Sequence, residues 1–179
     1  MVETDSPLNA WKRYMANSTG TVLLTGAKPW SGSVNPDYTT HCDSATWLRS
    51  DIEPDDSLDV VADLHLINEH VSELAGIYSP ATLEHLQRPW VAMIAMAKAL
   101  ASGGALFVHT HQTFPLHGYP HDYYRFSTEA MRVMAADAGL EVIACEYDNP
   151  CSIVPNADVA VWNTIAESYL NVSMCAVKA

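Results

Sequence analysis

Short apolar runs alternate along the chain with stretches of helical periodicity, and this alternation constrains the fold more than any other feature. Residues 21–25, 74–79 and 105–109 are apolar over nearly their whole length, as strands covered on both faces should be. Four more strands are predicted, at residues 46–50, 58–63, 140–146 and 169–177. Strands separated by helices predict a mostly parallel seven-stranded sheet with helices on both faces, which is a three-layer α/β sandwich.

Helices are predicted between these strands, and the best local signature belongs to the one that follows Ser127. Ser127 is a good N-cap, Phe126 before it can pack on Met131, and Gly139 ends the helix. Three other helices are predicted, at residues 64–73, 88–101 and near 158–168. The remaining long segments are expected to be an N-terminal arm or a single helical turn, at residues 1–20, and a loop, at residues 26–45.

Composition and charge narrow the function classes. The 179 residues, 49 % of them apolar, suit one domain spanning residues 1–179. A net charge of −12 repels phosphate backbones, so we expect no nucleic-acid partner; the same charge suits solubility or the selection of a cationic ligand. No apolar run approaches the roughly 18–20 residues of a membrane span, and the polar start is no secretory signal. The four cysteines lack C-x-x-C spacing, so we predict a cytoplasmic protein without a disulfide framework.

Polar residues at the strand ends are the first candidates for a site, because parallel sheets bind ligands beyond the carboxyl ends of their strands. Asp51 could accept hydrogen bonds from both hydroxyls of a ribose, or it could bond its own turn. Asp63 could bond an adenine amino group or cap the helix that follows. The other strand-end candidates are Gly26, Tyr78, Ser79 and residues 109–111.

Three stretches of the sequence resemble class I S-adenosylmethionine-dependent methyltransferases. They read DIEPDDSLDVVADLHLI, GIYSPATLEHLQRPWVAMIAMAKALASGGALFV and PLHGYPHDYYRFSTEAMRVMAADAGLEV. The likeness is greatest to the small-molecule type, which carries an L-E-H motif after the fourth strand and an H-x-x-P-x-D-Y-x-R-F segment after the fifth. It covers residues 20–147 and implies a Rossmann-like methyltransferase fold that binds S-adenosylmethionine.

The resemblance also implies a role for each matching position. Asp51 would hold the ribose, and Asp63 the adenine, with Leu64 against the ring. The remaining implied positions are Tyr78 and Ser79 beneath the methionine moiety, and Glu84 and His85 in the turn that borders the substrate.

The first turn departs from the family pattern, which is a glycine-rich loop of the form acid-x-G-x-G-x-G. The matching stretch is VLLTGAKPWSG: Gly26 keeps the first glycine, Leu24 replaces the acid, and Lys28 replaces the second glycine. Only glycine lets the backbone approach a cofactor without steric cost, and Pro29 removes a donor. We therefore predict that Lys28 turns away or covers the cofactor's carboxylate, and that the cofactor binds weakly, with a Kd above about 10 μM.

The segment at residues 109–126 holds four of the chain's eight histidines, and three interpretations of it stay open. As a substrate wall it would supply a histidine base, since imidazole suits removal of a hydroxyl proton near pH 7. As a structural loop it would only satisfy backbone groups and pack on the next helix. In each case we expect Arg125 to pair with an acid such as Asp122 rather than with substrate. As a metal site it would gather some of His109, His111, His117, His121 and Asp122.

We follow the substrate-wall interpretation and assign no metal ligands. His117 is the favoured base because Gly118 permits a tight bend, with His121 and His85 as the other candidates. The predicted function is methyl transfer from S-adenosylmethionine to an oxygen or nitrogen of a small-molecule substrate. The alternatives are a non-catalytic relative that binds a ligand or partner, favoured by the altered glycine loop, and a metal-dependent enzyme on the same fold.

Overall fold

The computed structural model describes residues 5–29, 36–118, 120–155 and 166–179, and seven strands in these ranges form one sheet. The strands are β1 (Thr21–Leu24), β2 (Thr46–Asp51), β3 (Val60–Val61), β4 (Leu74–Pro80), β5 (Leu100–His111), β6 (Leu140–Ile153) and β7 (Ala166–Lys178). Their order across the sheet is β3-β2-β1-β4-β5-β7-β6. All neighbouring pairs are parallel except the two that involve β7. The predicted mostly parallel sheet is confirmed.

Alternating side chains along the central strands build a separate core on each face of the sheet. Leu23, Ile77 and Leu106 point into the larger core, while the next residues on β4 and β5, Tyr78 and Phe107, point into the smaller one. This period of two is that of strands buried on both faces. The three-layer prediction follows from it and is confirmed.

The smaller core is covered by α1 (Pro7–Met15), where the sequence predicted only an arm or a single turn. Ser6 caps the helix by accepting a hydrogen bond from the Asn9 backbone N–H, and Pro7 occupies its first turn. Trp11 is fully buried, and its indole N–H donates to the Ala105 carbonyl at 3.2 Å. The prediction for residues 1–20 was therefore wrong for this stretch, because four buried side chains hold the helix on the sheet: Pro7, Ala10, Trp11 and Met15.

The larger core is covered by α2 (Pro89–Ala99), α3 (Thr128–Asp137) and a 3-10 helix at Leu64–Glu69. The predicted cap of α3 is confirmed, since the Ser127 side chain accepts from the Ala130 N–H. Phe126 and Met131 lie in the same core cluster, as the predicted staple requires.

Several predicted boundaries moved. β3 keeps only two residues of the predicted 58–63, and β5 begins at Leu100 rather than at 105. β6 and β7 continue past the apolar runs as an antiparallel ribbon that pairs Ile153 with Ala166. Partly exposed polar residues in that ribbon hid it from a search for apolar runs. Of the helix predicted near 158–168, residues 156–165 lie outside the described residues and residues 166–168 belong to β7.

None of the helices in the described ranges is both long enough and apolar enough to cross a membrane.

Candidate functional site

The turn after β1, residues 25–29, is held in place by the end of β4; we call it the glycine turn. The Thr25 N–H donates to the Tyr78 carbonyl at 3.1 Å, and the Thr25 hydroxyl donates to the Ser79 hydroxyl at 2.8 Å. Gly26 has φ +61°, and a Cβ added there would lie 2.7 Å from the Thr82 Oγ1. A glycine is therefore required both by the backbone angle and by the close approach of Thr82.

Asp51 lies at the end of β2 and holds the glycine turn from the other side. Its Oδ2 accepts from the Lys28 N–H and its Oδ1 from the Glu53 N–H, both at 3.1 Å. The Lys28 ammonium turns toward Glu53, with Nζ 2.6 Å from Oε2. This hydrogen bond raises the pKa of Lys28 above its ordinary value. Asp51 thus makes the turn contacts that the sequence offered as its structural alternative.

A cavity of about 160 Å³ opens beside the glycine turn. Besides the turn, its lining includes Leu24, Pro36, Tyr38, Arg49, Pro80 and Ala81. Pockets that enclose drug-sized ligands measure about 300–1,000 Å³. This cavity is large enough to receive only part of such a molecule.

Asp63 caps the 3-10 helix Leu64–Glu69, the second of the two roles that the sequence left open. Its Oδ1 accepts from the His65 N–H at 3.0 Å and lies 2.5 Å from the His65 Nδ1. Partial burial raises the pKa of Asp63, but the hydrogen bonds from His65 outweigh it and the net pKa is lowered. Leu64 is buried in the larger core. Asp63 still lies on the same sheet edge as Asp51, because Asp51 pairs with Val61.

Tyr78 and Ser79, the predicted neighbours of the methionine moiety, have buried side chains that serve the fold. The Tyr78 ring stacks on Phe107 with centroids 4.8 Å apart and meets Trp11 edge-on at 5.3 Å. Burial raises the pKa of the Tyr78 phenol. The Tyr38 ring covers the Tyr78 ring, with centroids 4.9 Å apart. At the ligand-binding edge of the sheet, β4 therefore presents its backbone rather than the side chains of Tyr78 and Ser79.

A second polar group lies where β4 and β5 end; we call Glu84, His85, His111 and His117 the Glu84 cluster. Glu84 is 0 % exposed, and its Oε2 accepts from the Thr110 hydroxyl at 2.7 Å. Its Oε1 lies 3.0 Å from the His111 Nε2 and 3.8 Å from the His85 Nε2. Burial raises the pKa of Glu84, but the His111 ring and the Thr110 hydroxyl outweigh it, so the net pKa lies below the ordinary value.

The imidazoles of the Glu84 cluster are oriented by contacts on their far sides. The His85 Nδ1 lies 2.6 Å from the His121 carbonyl, and the His117 ring lies 4.9 Å from the His85 ring and 5.0 Å from the His111 ring. The His111 Nδ1 lies 2.9 Å from the Asn171 side-chain amide nitrogen on β7. The three imidazoles come from the turn after β4, from the end of β5 and from the segment that follows β5, and they converge on one buried carboxylate.

The segment after β5, residues 112–126, covers this cluster; we call it the histidine loop, and its Tyr119 lies outside the described residues. The predicted pairing of Arg125 with Asp122 is confirmed, with both guanidinium branches on the carboxylate at 2.5 and 2.7 Å. Arg125 also donates to the Phe114 and Pro115 carbonyls, and Asp122 accepts from the His117 N–H at 2.9 Å. The hydrogen bonds from Arg125 hold the pKa of Asp122 well below its usual range.

The structure separates the predicted histidines. His85 and His117 enter the cluster with their rings, whereas His121 contributes its carbonyl and has an exposed ring 5.4 Å from Tyr123. His109 lies two residues before His111 on β5, and burial lowers its pKa. The sequence prediction missed that the Glu84 carboxylate organises the cluster. Glu84 follows β4 and His111 ends β5, so pairing residues across the ends of adjacent strands would have found the contact.

Comparison with known proteins supports the fold and leaves the activity open. No protein-family model matches the chain, and no curated protein matches its sequence. Solved structures do match it. A SAM-dependent methyltransferase from Archaeoglobus fulgidus aligns with 96 % of this chain and 91 % of its own, at 14 % identity and a TM-score of 0.68.

Two further structures show how varied the chemistry of the matching proteins is. A 1,6-didemethyltoxoflavin-N1-methyltransferase from Burkholderia thailandensis, with bound 1,6-didemethyltoxoflavin and S-adenosylhomocysteine, aligns with 97 % of this chain and 78 % of its own, at 11 % identity and a TM-score of 0.64. The [4+2]-cyclase SpnF aligns with 96 % of this chain and 79 % of its own, at 12 % identity and a TM-score of 0.60. At such identities the likeness shows the fold alone: this chain has the Rossmann-like methyltransferase fold.

Proposed function

We propose that this chain binds S-adenosylmethionine at the ends of β1, β2 and β4 and transfers its methyl group to an oxygen or nitrogen of a small molecule. The observation that carries the proposal is the presence of two polar groups side by side on one sheet edge. The glycine turn with Asp51 lies at β1 and β2, and the Glu84 cluster lies at β4 and β5. A donor held at the first would face an acceptor held at the second.

The residues around the glycine turn fit a nucleoside in their chemistry. Each Asp51 oxygen accepts one backbone N–H, and because an ionised carboxylate has about four lone-pair sites, ribose hydroxyls can share it. Gly26 lines the cavity, and its positive φ lets the chain turn there, with the Thr82 hydroxyl in the space that a side chain would take. The cavity of about 160 Å³ accepts part of the ligand, so the rest would lie across the surface and the affinity would be low.

S-adenosylmethionine, when bound, supplies an activated methyl group, and what remains for the chain is alignment and exclusion of water. The histidine loop is proposed to exclude water from the acceptor, since Arg125 and Asp122 tie it together. The Glu84 cluster is proposed to receive the acceptor, with His117 as the side chain that meets its hydroxyl or amine. The buried carboxylate lies beside the imidazoles, where it can stabilise the positive charge that develops on an imidazole as it takes the acceptor's proton.

The test uses two variants of the histidine loop. An acceptor is first sought among phenols, carboxylic acids and amines by the formation of S-adenosylhomocysteine. His117→Ala should then lower turnover by about 10²- to 10⁴-fold, with the affinity for S-adenosylhomocysteine unchanged. His121→Ala is the matched control, because its ring lies outside the cluster, and it should keep turnover. Turnover that survives in His117→Ala would remove His117 from the acceptor site.

A non-catalytic ligand-binding protein is the second candidate, and the glycine turn favours it. Lys28 and Glu53 already pair with each other, Asp51 already holds the turn, and the cavity is small. The [4+2]-cyclase shows that this fold also accommodates other chemistry. Binding of S-adenosylhomocysteine without any methylated product across the acceptor panel would favour this second candidate.

A further inference from the structure

We propose that the cavity beside the glycine turn is an anion-binding site, in which the Arg49 guanidinium binds a carboxylate or phosphate group of the ligand. Arg49 lies on β2 two residues before Asp51, so both side chains project from the same face of the sheet. It lines the cavity together with Lys28 and Tyr38. The inference rests on the proposed function only for the position of the ligand, since this is where that function places S-adenosylmethionine.

The Arg49 guanidinium supplies the observation that points to a ligand. The side chain is partly buried, and its Nε is buried without a hydrogen-bond partner in the part of the chain that the structure describes. A buried N–H group without an acceptor is costly, and more so when the group is charged. An anion would supply the missing acceptor, because the planar guanidinium matches carboxylate and phosphate groups with two parallel hydrogen bonds.

The acids around Arg49 are held by other groups. The Asp59 Oδ2 accepts from the Arg49 backbone N–H at 2.8 Å, a contact that leaves the guanidinium out. The Asp37 Oδ1 accepts from the Thr39 hydroxyl and N–H, at 2.6 and 3.1 Å. These hydrogen bonds, with a smaller contribution from the Arg49 charge, lower the pKa of Asp37. Among the described residues no carboxylate forms an ion pair with Arg49, so its charge remains for a ligand.

The lining of the cavity is basic although the chain is strongly acidic. The chain has nine Lys and Arg residues and a net charge of −12, yet two of the nine line this cavity, and none of its described lining residues is Asp or Glu. The Lys28 ammonium is already paired with Glu53, 2.6 Å away. Arg49 is therefore the cation that remains for an anion, at a point where the overall field of the chain is locally reversed.

The cavity suits one anionic group, and the backbone of the glycine turn leaves its recognition to Arg49. A volume of about 160 Å³ well exceeds the roughly 30 Å³ that one water occupies in the liquid, so a carboxylate or phosphate group fits there. The N–H groups of Thr25, Ala27 and Lys28 already donate to residues of β4 and β2. The guanidinium is thus the group that would distinguish a charged ligand from a neutral one.

Two kinds of ligand carry such a group next to an adenosine. S-adenosylmethionine carries a carboxylate on its amino-acid end, and a nucleotide carries a phosphate. A carboxylate at Arg49 would make this residue part of the methyl-donor site. A phosphate there would make the cavity a nucleotide site, as the non-catalytic candidate requires.

The experiment is calorimetry on the full chain with two pairs of ligands that differ in the anion. The pairs are S-adenosylhomocysteine with its decarboxylated form, and adenosine monophosphate with adenosine. We expect the wild type to bind the charged member of one pair about 10- to 150-fold more tightly, as for a hydrogen bond between charged groups. Arg49→Met should remove that preference and leave the affinity for the neutral member unchanged. Arg132→Met is the matched control, because Arg132 is exposed on α3 over the opposite face of the sheet, and it should keep the preference.

Stability without ligand separates binding from packing. Arg49→Met should melt at or above the temperature of the wild type, because it removes a buried donor that has no partner. Arg49→Lys keeps the charge without the planar fork, so it should keep only part of the preference, and it serves as the second variant if Arg49→Met does not fold.

The outcomes for the anion site and for the proposed function are distinct. A wild type without preference in either pair overturns the anion site, and so does a preference that survives undiminished in the folded Arg49 variants. Binding of S-adenosylhomocysteine that ignores Arg49 would overturn the anion site and keep the methyl-donor claim. A preference for the nucleotide that depends on Arg49, without any binding of S-adenosylhomocysteine, would support the anion site and remove the methyl-donor claim.

Discussion

The glycine turn and the Glu84 cluster lie on the same sheet edge but are stabilised in opposite ways. At the glycine turn, the charged side chains Lys28 and Glu53 pair in solvent, 35 % and 58 % exposed. In the Glu84 cluster, the carboxylate is 0 % exposed and its two nearest partners, Thr110 and His111, both lie on β5. Exposed ion pairs contribute little, whereas a buried carboxylate that loses its partners is strongly destabilising. Substitutions of the charged side chains should therefore affect stability strongly at the cluster and weakly at the turn.

Glu84→Leu should have the largest effect. The substitution leaves the Thr110 hydroxyl and the His111 ring buried without their partner. We expect the free energy of unfolding to fall by about 2–5 kcal/mol, measured by urea unfolding at pH 7. Glu84→Gln, which keeps the shape and an acceptor oxygen, should lose less. Equal stability of Glu84→Leu and the wild type would show that the cluster does not hold this edge.

The difference in stability between the wild type and Glu84→Gln should depend on pH. The pKa of Glu84 is lowered in the folded state, so its contribution is present above the unfolded pKa of about 4.3 and is lost as pH falls through the folded pKa. The stability advantage of the wild type over Glu84→Gln should thus be full at pH 6 and shrink below about pH 4. An advantage that grows on acidification would reverse the assigned direction of the shift.

Gly26→Ala should have an intermediate effect, and Gly103→Ala is its matched control. Both glycines have positive φ, +61° and +76°, but only Gly26 has a neighbour in the way, the Thr82 Oγ1 at 2.7 Å. Each substitution should cost about 1–2 kcal/mol for the backbone angle, and Gly26→Ala about 1 kcal/mol more for the contact. Thr82→Ala in the same chain should remove that excess. Equal losses at both glycines would contradict the close approach of Thr82.

Lys28→Met should have the smallest effect. The ammonium pairs with Glu53 in solvent and is turned toward the end of β2. The melting temperature should be unchanged within error, and so should the affinity for S-adenosylhomocysteine. Marked weakening of that affinity would mean that the ammonium contacts the cofactor's carboxylate, and marked tightening would mean that the side chain obstructs it.

The sequence predicted the fold through features that are local. Apolar runs located the strands, and Ser127 with Phe126 located α3, because caps and buried strands leave their signals within a few residues. The helix α1 has the same kind of signal, Ser6 followed by Pro7, but the polar residues around it concealed the buried face. The far end of the β6–β7 ribbon was missed because it carries no apolar run. It is formed by hydrogen bonds between the two strands, which leave no local signal in the sequence.

The candidate site was less predictable because its contacts are long-range. The pairing of Arg125 with Asp122 spans three residues and was predicted. The contact of Glu84 with His111 spans 27 positions and depends on β4 and β5 being neighbours. The contact of Asp51 with Lys28 depends in the same way on β1 and β2. The residue types indicated which polar side chains belong to the site, but the order of the strands in the sheet determines which of these side chains are in contact.

Binding of S-adenosylhomocysteine, measured by calorimetry on the wild type, Asp51→Asn and Asp56→Asn, tests the central claim most directly. Asp51 lies beside the glycine turn, while Asp56 is an exposed acid of the same acidic segment and serves as the control. We predict a wild-type Kd above about 10 μM, weakened by about 10- to 150-fold in Asp51→Asn, as expected for a lost hydrogen bond to a charged group, and unchanged in Asp56→Asn. No binding to the wild type at millimolar ligand, or equal binding to a folded Asp51→Asn, would contradict the claim that this sheet edge holds the cofactor.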